Sequence, residues 1–297
     1  MNLSHIAQKA DKMQQTTLID KLNIKGSRLS KSHRKLADFI SAHYDKAVFM
    51  TAARLAEVVG ISESTVVRFA TALGYEGYPQ MQKTLQEIVR HRLTSAQRFA
   101  MTADMTPRDA IDTVLRMDMR NIRTTLEQID EEVLCKAVDM ISDARSIYVL
   151  GLRSAAPLAA FFTHYLHYIF DDVRTVKDLS HDIFETISRI DKQDVLIAIS
   201  FPRYSNRTLE SMHFARSRGA TVIGLTDGPL SPLHDASDVC LDAQTEIASF
   251  VDSMAAPMSL VNALLTALGV KNQEALSKNF SDLEGIWDKY RIYANRE

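Results

Sequence analysis

At 297 residues, 46% hydrophobic and 24% charged, the chain has the composition of an ordinary globular protein and the length of about two domains. Its net charge of -2 hides an asymmetry: residues 1–95 carry 14 Lys and Arg against 8 Asp and Glu, whereas residues 96–297 carry 21 against 29. A basic head on an acidic body suits one domain that meets polyphosphate and another that does not. Cys135 and Cys240 lie far apart without a CxxC pattern, which argues against a disulfide framework or a zinc motif and for a reducing compartment. The polar first 25 residues lack the apolar core of a signal peptide, and the most apolar helix candidate, Ala155 to Phe170, is too short to span a bilayer. The expected location is the cytoplasm.

In chain order, residues 1–28 show no sustained apolar period and read as a mobile tail. Residues 29–91 read as an all-α domain. Ser30 can cap a first helix through Leu36, Phe39 and Ile40. A second helix is expected over Ala52 to Val59, a third over Glu63 to Leu73 and a fourth from Pro79 to about His91. Residues 92–106, polar and rich in Thr, Ser and Ala, read as a linker. Residues 107–297 form the second domain. Thr106-Pro107 opens a long helix with Ile111, Leu115, Ile122 and Leu126 on one stripe, and a further helix covers Glu131 to Ile141. Five short apolar strands follow, at Ser146–Leu150, Val173–Thr175, Val195–Ser200, Thr221–Thr226 and Val239–Leu241. They alternate with helical runs near 155–170, 181–189 and 206–218, and helices at about 250–269 and 272–290 close the domain. Alternation of this kind implies right-handed βαβ units and a doubly wound, parallel five-stranded α/β sheet.

The stretch Ala52 to Thr71 fits a helix-turn-helix. Ala56 falls where two helices approach closely, and Gly60 falls at a turn that needs positive φ. Leu55, Val59, Ile61, Val66 and Phe69 occupy the positions that must be apolar, and Ser62 can cap the next helix. With Val66 and Phe69 turned inward, Ser64, Thr65 and Arg68 face outward on the half of a recognition helix that enters the major groove. Arg can read guanine bidentately, or hold a phosphate without conferring specificity. Lys31, His33, Arg34, Gln80 and Lys83 are candidate contacts to the DNA backbone.

In open α/β sheets, ligands bind at the carboxyl ends of the strands. Two such ends stand out. One is Gly151-Leu152-Arg153-Ser154, leading into a helix whose N-terminal amides can receive an anion. Arg153 stands where a dinucleotide fold would place a second glycine. The other is Ser200-Phe201-Pro202-Arg203-Tyr204-Ser205-Asn206-Arg207-Thr208. Its hydroxyls at Ser200, Ser205 and Thr208, with two arginines at a strand-to-helix turn, suit a phosphate or carboxylate.

On these residues the chain resembles the MurR/RpiR family of regulators. Ala52 to Lys83, especially Ser62–Tyr78, is similar to their helix-turn-helix, and Ile147 to about Leu268 is similar to their sugar isomerase (SIS) domain. The resemblance rests on Ile147-Tyr148-Val149-Leu150-Gly151, Val195-Leu196-Ile197-Ala198-Ile199-Ser200, the run Ala215 to Asp227, and Ser231-Pro232-Leu233 with Ala236-Ser237-Asp238-Val239. It implies a homo-oligomer, dimer or tetramer, built through SIS domains, an operator of double-stranded DNA and a phosphosugar effector. The chain departs from the usual Ser-x-Ser-Gly-x-Thr phosphosugar loop. Pro202 and Arg203 stand at the second serine and the glycine, and Ser205 at the threonine. Pro202 has neither hydroxyl nor N–H to offer, so the expected effector is an anion held by the Arg153 and Arg203 guanidinium groups.

The reading is therefore a DNA-binding transcriptional regulator that senses a small anionic metabolite, with no catalytic role, cofactor or metal. The alternative is a sugar-phosphate isomerase with an accessory helical domain. Such an enzyme needs a base, and Glu246 and His181 are the candidates; Glu246 is equally a candidate effector contact. In a third reading, the SIS-like domain serves dimerisation alone.

Overall fold

The computed structural model describes residues 30–48, 50–90, 94–100, 102, 103, 105–176 and 182–294, with the side chains of residues 44, 45, 83 and 86–90 outside that description. The tail expected at residues 1–28 and the base candidate His181 lie outside the described residues. The chain divides into two units, residues 1–104 and 105–297.

In the first unit, Ser30 caps α1 (Lys31–Ala42) by accepting from the His33 amide. After the short α2 (Tyr44–Ala47), Thr51 caps α3 (Ala52–Val59) in the same way. Gly60 ends α3 in the left-handed region at φ 71°, and Ser62 caps α4 (Glu63–Ala72). A Cβ at Gly60 would meet nothing within 4 Å, so the turn requires its φ and not its small size. Leu36, Leu55, Val66 and Phe69 are wholly buried, while Val59 and Ile61 pack half-buried at the edge of the same core. Each fully buried aliphatic or aromatic side chain of this set contributes about 1.5–3 kcal/mol. α5 (Tyr78–Arg90) locks the bundle: the Tyr78 hydroxyl donates to the Met50 carbonyl at 2.6 Å, and the Gln82 amide reaches the carbonyls of Val48 and Met50. Within the stretch expected as linker, Ser95–Ala100 forms a short helix, α6, whose Arg98 is buried.

In the second unit, α7 (Pro107–Gln128) opens on a capping box between Thr106 and Asp109. α8 (Glu131–Ser142) follows. The strands are β1 (Ile147–Gly151), β2 (Val173–Val176), β3 (Val195–Ile199), β4 (Thr221–Thr226) and β5 (Val239–Asp242). All pair in parallel, in the order β2-β1-β3-β4-β5. β1 and β3 are buried at every position, as sheet strands covered on both faces must be. One face packs against α8, α9 (Ala156–Leu166) and α13 (Ala255–Lys271). The other packs against α10 (Ile183–Thr186), α11 (Asn206–Ser217) and α12 (Pro232–Ala236). α14 (Gln273–Tyr290) closes the chain.

Two helices differ from expectation. α10 is one turn, started by Asp182 and ended by Ile187, and Ile183, Ile187 and Ile190, spaced along residues 183–190, all enter the core. α13 starts at Ala255 and not near 250, because α7 takes the preceding backbone: Asn121 bonds both the N–H and C=O of Glu246, and Asp118 accepts from the Ser253 hydroxyl. The face α7 turns inward is therefore polar, with Asn121 and Thr125 buried. Its apolar stripe faces outward: Ile111, Leu115, Ile122 and Leu126 are 65%, 59%, 40% and 74% exposed.

Candidate functional site

The outward face of α4 carries the residues expected on a recognition helix. Ser62 and Ser64 are exposed, Thr65 is half-exposed, and the hydroxyls of Ser64 and Thr65 lie 2.9 and 2.8 Å from that of Ser62. Arg68 is exposed one turn on, its Nε donating to the Ser64 carbonyl at 3.2 Å, so the guanidinium lies along the helix toward its N-terminus. His33 of α1 packs edge-on against Phe69, with ring centroids 5.5 Å apart. Burial and then the Arg68 charge hold its imidazole below the usual histidine pKa. Lys31 and Arg34 are exposed on the first turn of the same helix. Gln80 uses its side-chain carbonyl to accept from the Glu76 amide, a role in shaping the start of α5. The Lys83 side chain lies outside the described residues. His33 was named as a backbone contact, but its place against Phe69 and Arg68 depends on the packing of α1 across α4, which no local spacing encodes.

In the second unit, the two strand ends singled out from sequence come together. β1 and β3 are neighbours with Gly151 opposite Ile199, and the chain leaves them in different directions, to β2 and to β4. This is the topological switch point of the sheet, the place where open α/β folds form their ligand crevice. Gly151 is buried, and a Cβ there would lie 2.7 Å from both the Ala155 carbonyl and the Ala159 side chain. Its role is thus to let α9 approach the strand end. Arg153 and Ser154, in the 3-10 turn Arg153–Ala155, are exposed.

Across the crevice, Ser200 is buried and accepts from the Ser205 amide at 3.3 Å. Pro202 is buried, and Arg203 is exposed at φ 71°. The Tyr204 hydroxyl donates to Asp227, at the end of β4, at 2.7 Å. Ser205 caps α11 by position, yet its side chain makes no capping bond. Thr208, on the first turn of α11, is fully buried, and its hydroxyl has no hydrogen-bond partner. A buried hydroxyl without a partner costs about 1–3 kcal/mol. Ser205 and Thr208 thus belong to one strand-to-helix turn at the start of α11, whose first amides lack partners within the helix. Arg207 pairs with Asp182 at 2.7 Å, and Asp182 also accepts from the Phe184 amide. That amide first, and Arg207 with it, hold the Asp182 carboxyl below its ordinary pKa against the opposing effect of desolvation.

Glu246 belongs to a different group: its carboxylate faces Arg120 of α7 at 3.8 Å and its backbone is clamped by Asn121. Asp227 was missed as a partner of this loop, although its place at a strand's carboxyl end could have flagged it by the rule that found the others.

A parallel five-stranded sheet flanked by helices, joined in one chain to a helix-turn-helix, is the architecture of a two-module DNA-binding regulator. Residues 16–91 match the helix-turn-helix domain of the rpiR family, and residues 140–267 match the SIS domain. The chain belongs to the RpiR-family regulators that join these two modules. It is 27% identical over 262 residues to the HTH-type transcriptional regulator HexR of Pseudomonas aeruginosa, covering 86% of this chain and 90% of the relative. An uncharacterised HTH-type transcriptional regulator of Clostridium perfringens is 25% identical over 222 residues, 74% of this chain and 79% of the relative. Among solved structures, the sugar isomerase domain of an RpiR transcription factor from Sphaerobacter thermophilus superimposes with a TM-score of 0.56 at 26% identity, covering 58% of this chain and 96% of that one. The NanR protein of Vibrio vulnificus, complexed with ManNAc-6P, shares the fold with a TM-score of 0.58 at 21% identity, over 94% of this chain and 100% of that one. No helix among the described residues is long and apolar enough to cross a membrane.

Proposed function

We propose that this chain is a cytoplasmic transcriptional regulator whose SIS domain binds a phosphosugar at the switch point between β1 and β3. The observation that carries the reading is the Thr208 hydroxyl, buried without a partner on the first turn of α11, which with the Ser205 hydroxyl that opens the same helix would form an anion cradle. A phosphoryl oxygen would satisfy both, while Arg153 and Arg203 supply charge from the two sides of the crevice. The sugar phosphate named in the NanR complex is of the same chemical class. Ser62, Ser64, Thr65 and Arg68 face the DNA, with Lys31 and Arg34 toward its phosphates. Effector binding alters DNA affinity by favouring one arrangement of the protein over another. The chain acts as a sensor in this reading: of the two groups weighed as a base, Glu246 faces Arg120 at 3.8 Å with its backbone held by Asn121, and His181 lies outside the described residues.

Thr208→Val tests the cradle. The free protein should be as stable as wild type or more so, because an unsatisfied hydroxyl is removed from its interior. Affinity for phosphosugars should fall by about tenfold or more, the loss of one hydrogen bond to a charged group. Calorimetric titration with a panel of hexose and aminosugar phosphates reads both results. Unchanged affinity for the best ligand of the panel would place the anion elsewhere.

The reading includes a homo-oligomer. The exposed apolar stripe of α7 supports it, since contiguous apolar surface of this kind marks an interface. Sedimentation should give a dimer or tetramer at micromolar concentration, and Leu115→Glu should lower the assembly state. A monomeric wild-type chain would refute it.

A further inference from the structure

Among the described residues, three ligand-type side chains converge at the edge strand β5 of the sheet: His234 of α12, and Cys240 and Asp242 of β5. Their ligand atoms all lie within 4.8 Å of one another, and His234 Nε2 is 2.9 Å from an Asp242 carboxylate oxygen. Cys240 and Asp242 are alternate residues of one strand and so share a face, onto which α12 brings the imidazole. Gly224 of β4, paired with Cys240, makes room for the thiol: a Cβ there would lie 2.8 Å from the sulfur and 2.5 Å from the Ser237 hydroxyl. His234 and Asp242 are each about one-third exposed, so the group is reachable from solvent.

We propose that His234, Cys240 and Asp242 form a binding site for a divalent transition-metal ion of the zinc class. The donors are one imidazole nitrogen, one thiolate and one carboxylate, the mixture that zinc takes with three protein ligands and a water. In a tetrahedral site, neighbouring donors stand about 3.5 Å apart. The His–Asp pair must therefore open by about half an ångström and the sulfur close by about one at most, within the reach of χ rotations. Coordination exchanges the Cys240 thiol proton for the ion and releases that proton to solvent. No zinc-motif spacing announces the site, because the strand and the helix bring its ligands together only in the folded sheet.

The test uses the full chain, stripped of metal with a chelator and titrated with Co2+ and then Zn2+. The expected result is one equivalent of bound cobalt with a thiolate-to-cobalt charge-transfer band in the near ultraviolet, abolished by Zn2+. The band should persist in Cys135→Ser, which leaves Cys240 as the chain's other cysteine. It should vanish in Cys240→Ser, with zinc affinity weakened by more than about tenfold, since losing a ligand exceeds the loss of an outer-shell partner. His234→Gln and Asp242→Asn should weaken zinc binding similarly. Circular dichroism of the metal-free variants checks their fold; should Cys240→Ser fail to fold, the wild-type and Cys135→Ser spectra still decide. Absence of the band at saturating cobalt, or a band lost in Cys135→Ser and retained in Cys240→Ser, would overturn the proposal.

Discussion

Arg153 and Arg203, in the loops that follow the adjacent parallel strands β1 and β3, share a rare backbone state, with φ of 56° and 71°. The left-handed region costs a residue with a Cβ about 1–2 kcal/mol relative to its ordinary conformations. Both positions favour glycine by conformation yet carry guanidinium groups, at the rim of the proposed anion cradle. Backbone strain kept at a ligand site is a mark of function.

Glycine at either position should therefore relieve strain while removing charge. Arg203→Gly and Arg153→Gly should melt at or above the wild-type temperature. Their affinity for the anionic effector should fall tenfold to over a hundredfold, the equivalent of about 1.5–3 kcal/mol for a charge-assisted contact. Basal DNA binding should hold. If the arginines serve stability or assembly instead, the variants will melt lower or dissociate and keep wild-type affinity in calorimetry.

On the DNA side, Arg68→Ala should weaken operator binding by about 1–3 kcal/mol and leave the melting temperature nearly unchanged, since the side chain is exposed and its structural bond is to its own helix. Gel-shift titration checks it; unchanged affinity removes Arg68 from the interface. The same variant should raise the pKa of His33, because the Arg68 charge is the second cause of its depression after burial. The sign follows from linkage. The unfolded chain binds this proton more readily than the folded one, so the contribution of His33 to stability is full above about 6.5 and is lost as pH falls through that value toward the depressed folded pKa. NMR titration of the His33 ring in both proteins reads the shift, and an unmoved pKa would show that burial acts alone.

Gly151→Ala should be among the most damaging single-methyl changes in the second unit. The added carbon meets the Ala155 carbonyl and Ala159 at 2.7 Å, and both are fixed parts of the turn and helix that follow β1. Overpacking of this sort costs about 1–3 kcal/mol. The displaced turn also carries Arg153, so effector affinity should fall along with the melting temperature. Gly60→Ala, by contrast, meets no atom and should lose only the cost of its left-handed φ. Equal stability of Gly151→Ala and wild type in urea titration would contradict the crowding.

Most of the architecture was legible in local patterns. Ala56, Gly60 and Ser62 announce the helix-turn-helix because a close approach, a positive φ and a cap are each requirements of a few adjacent residues. The uninterrupted apolar runs at Val195–Ile199 and Ile147–Gly151 announce strands buried on both faces, and strand–helix alternation then leaves few topologies. Ser200, Ser205 and Thr208 could be collected from one loop for the same reason. Other features depended on pairings between distant segments. The stripe Ile111, Leu115, Ile122 and Leu126 gives the face of α7 that is apolar, but not that Asn121 and Thr125 on the other face would take the inward side by binding the backbone near Glu246. Glu246 itself was placed with the effector by proximity to α13 and is drawn off by Arg120. The meeting of His234 with Cys240 and Asp242, and of Tyr204 with Asp227, likewise depends on which strand lies beside which. Propensity, capping and φ act over one or two helical turns, whereas register and the choice of packed face are settled by contacts between segments that the linear order keeps apart.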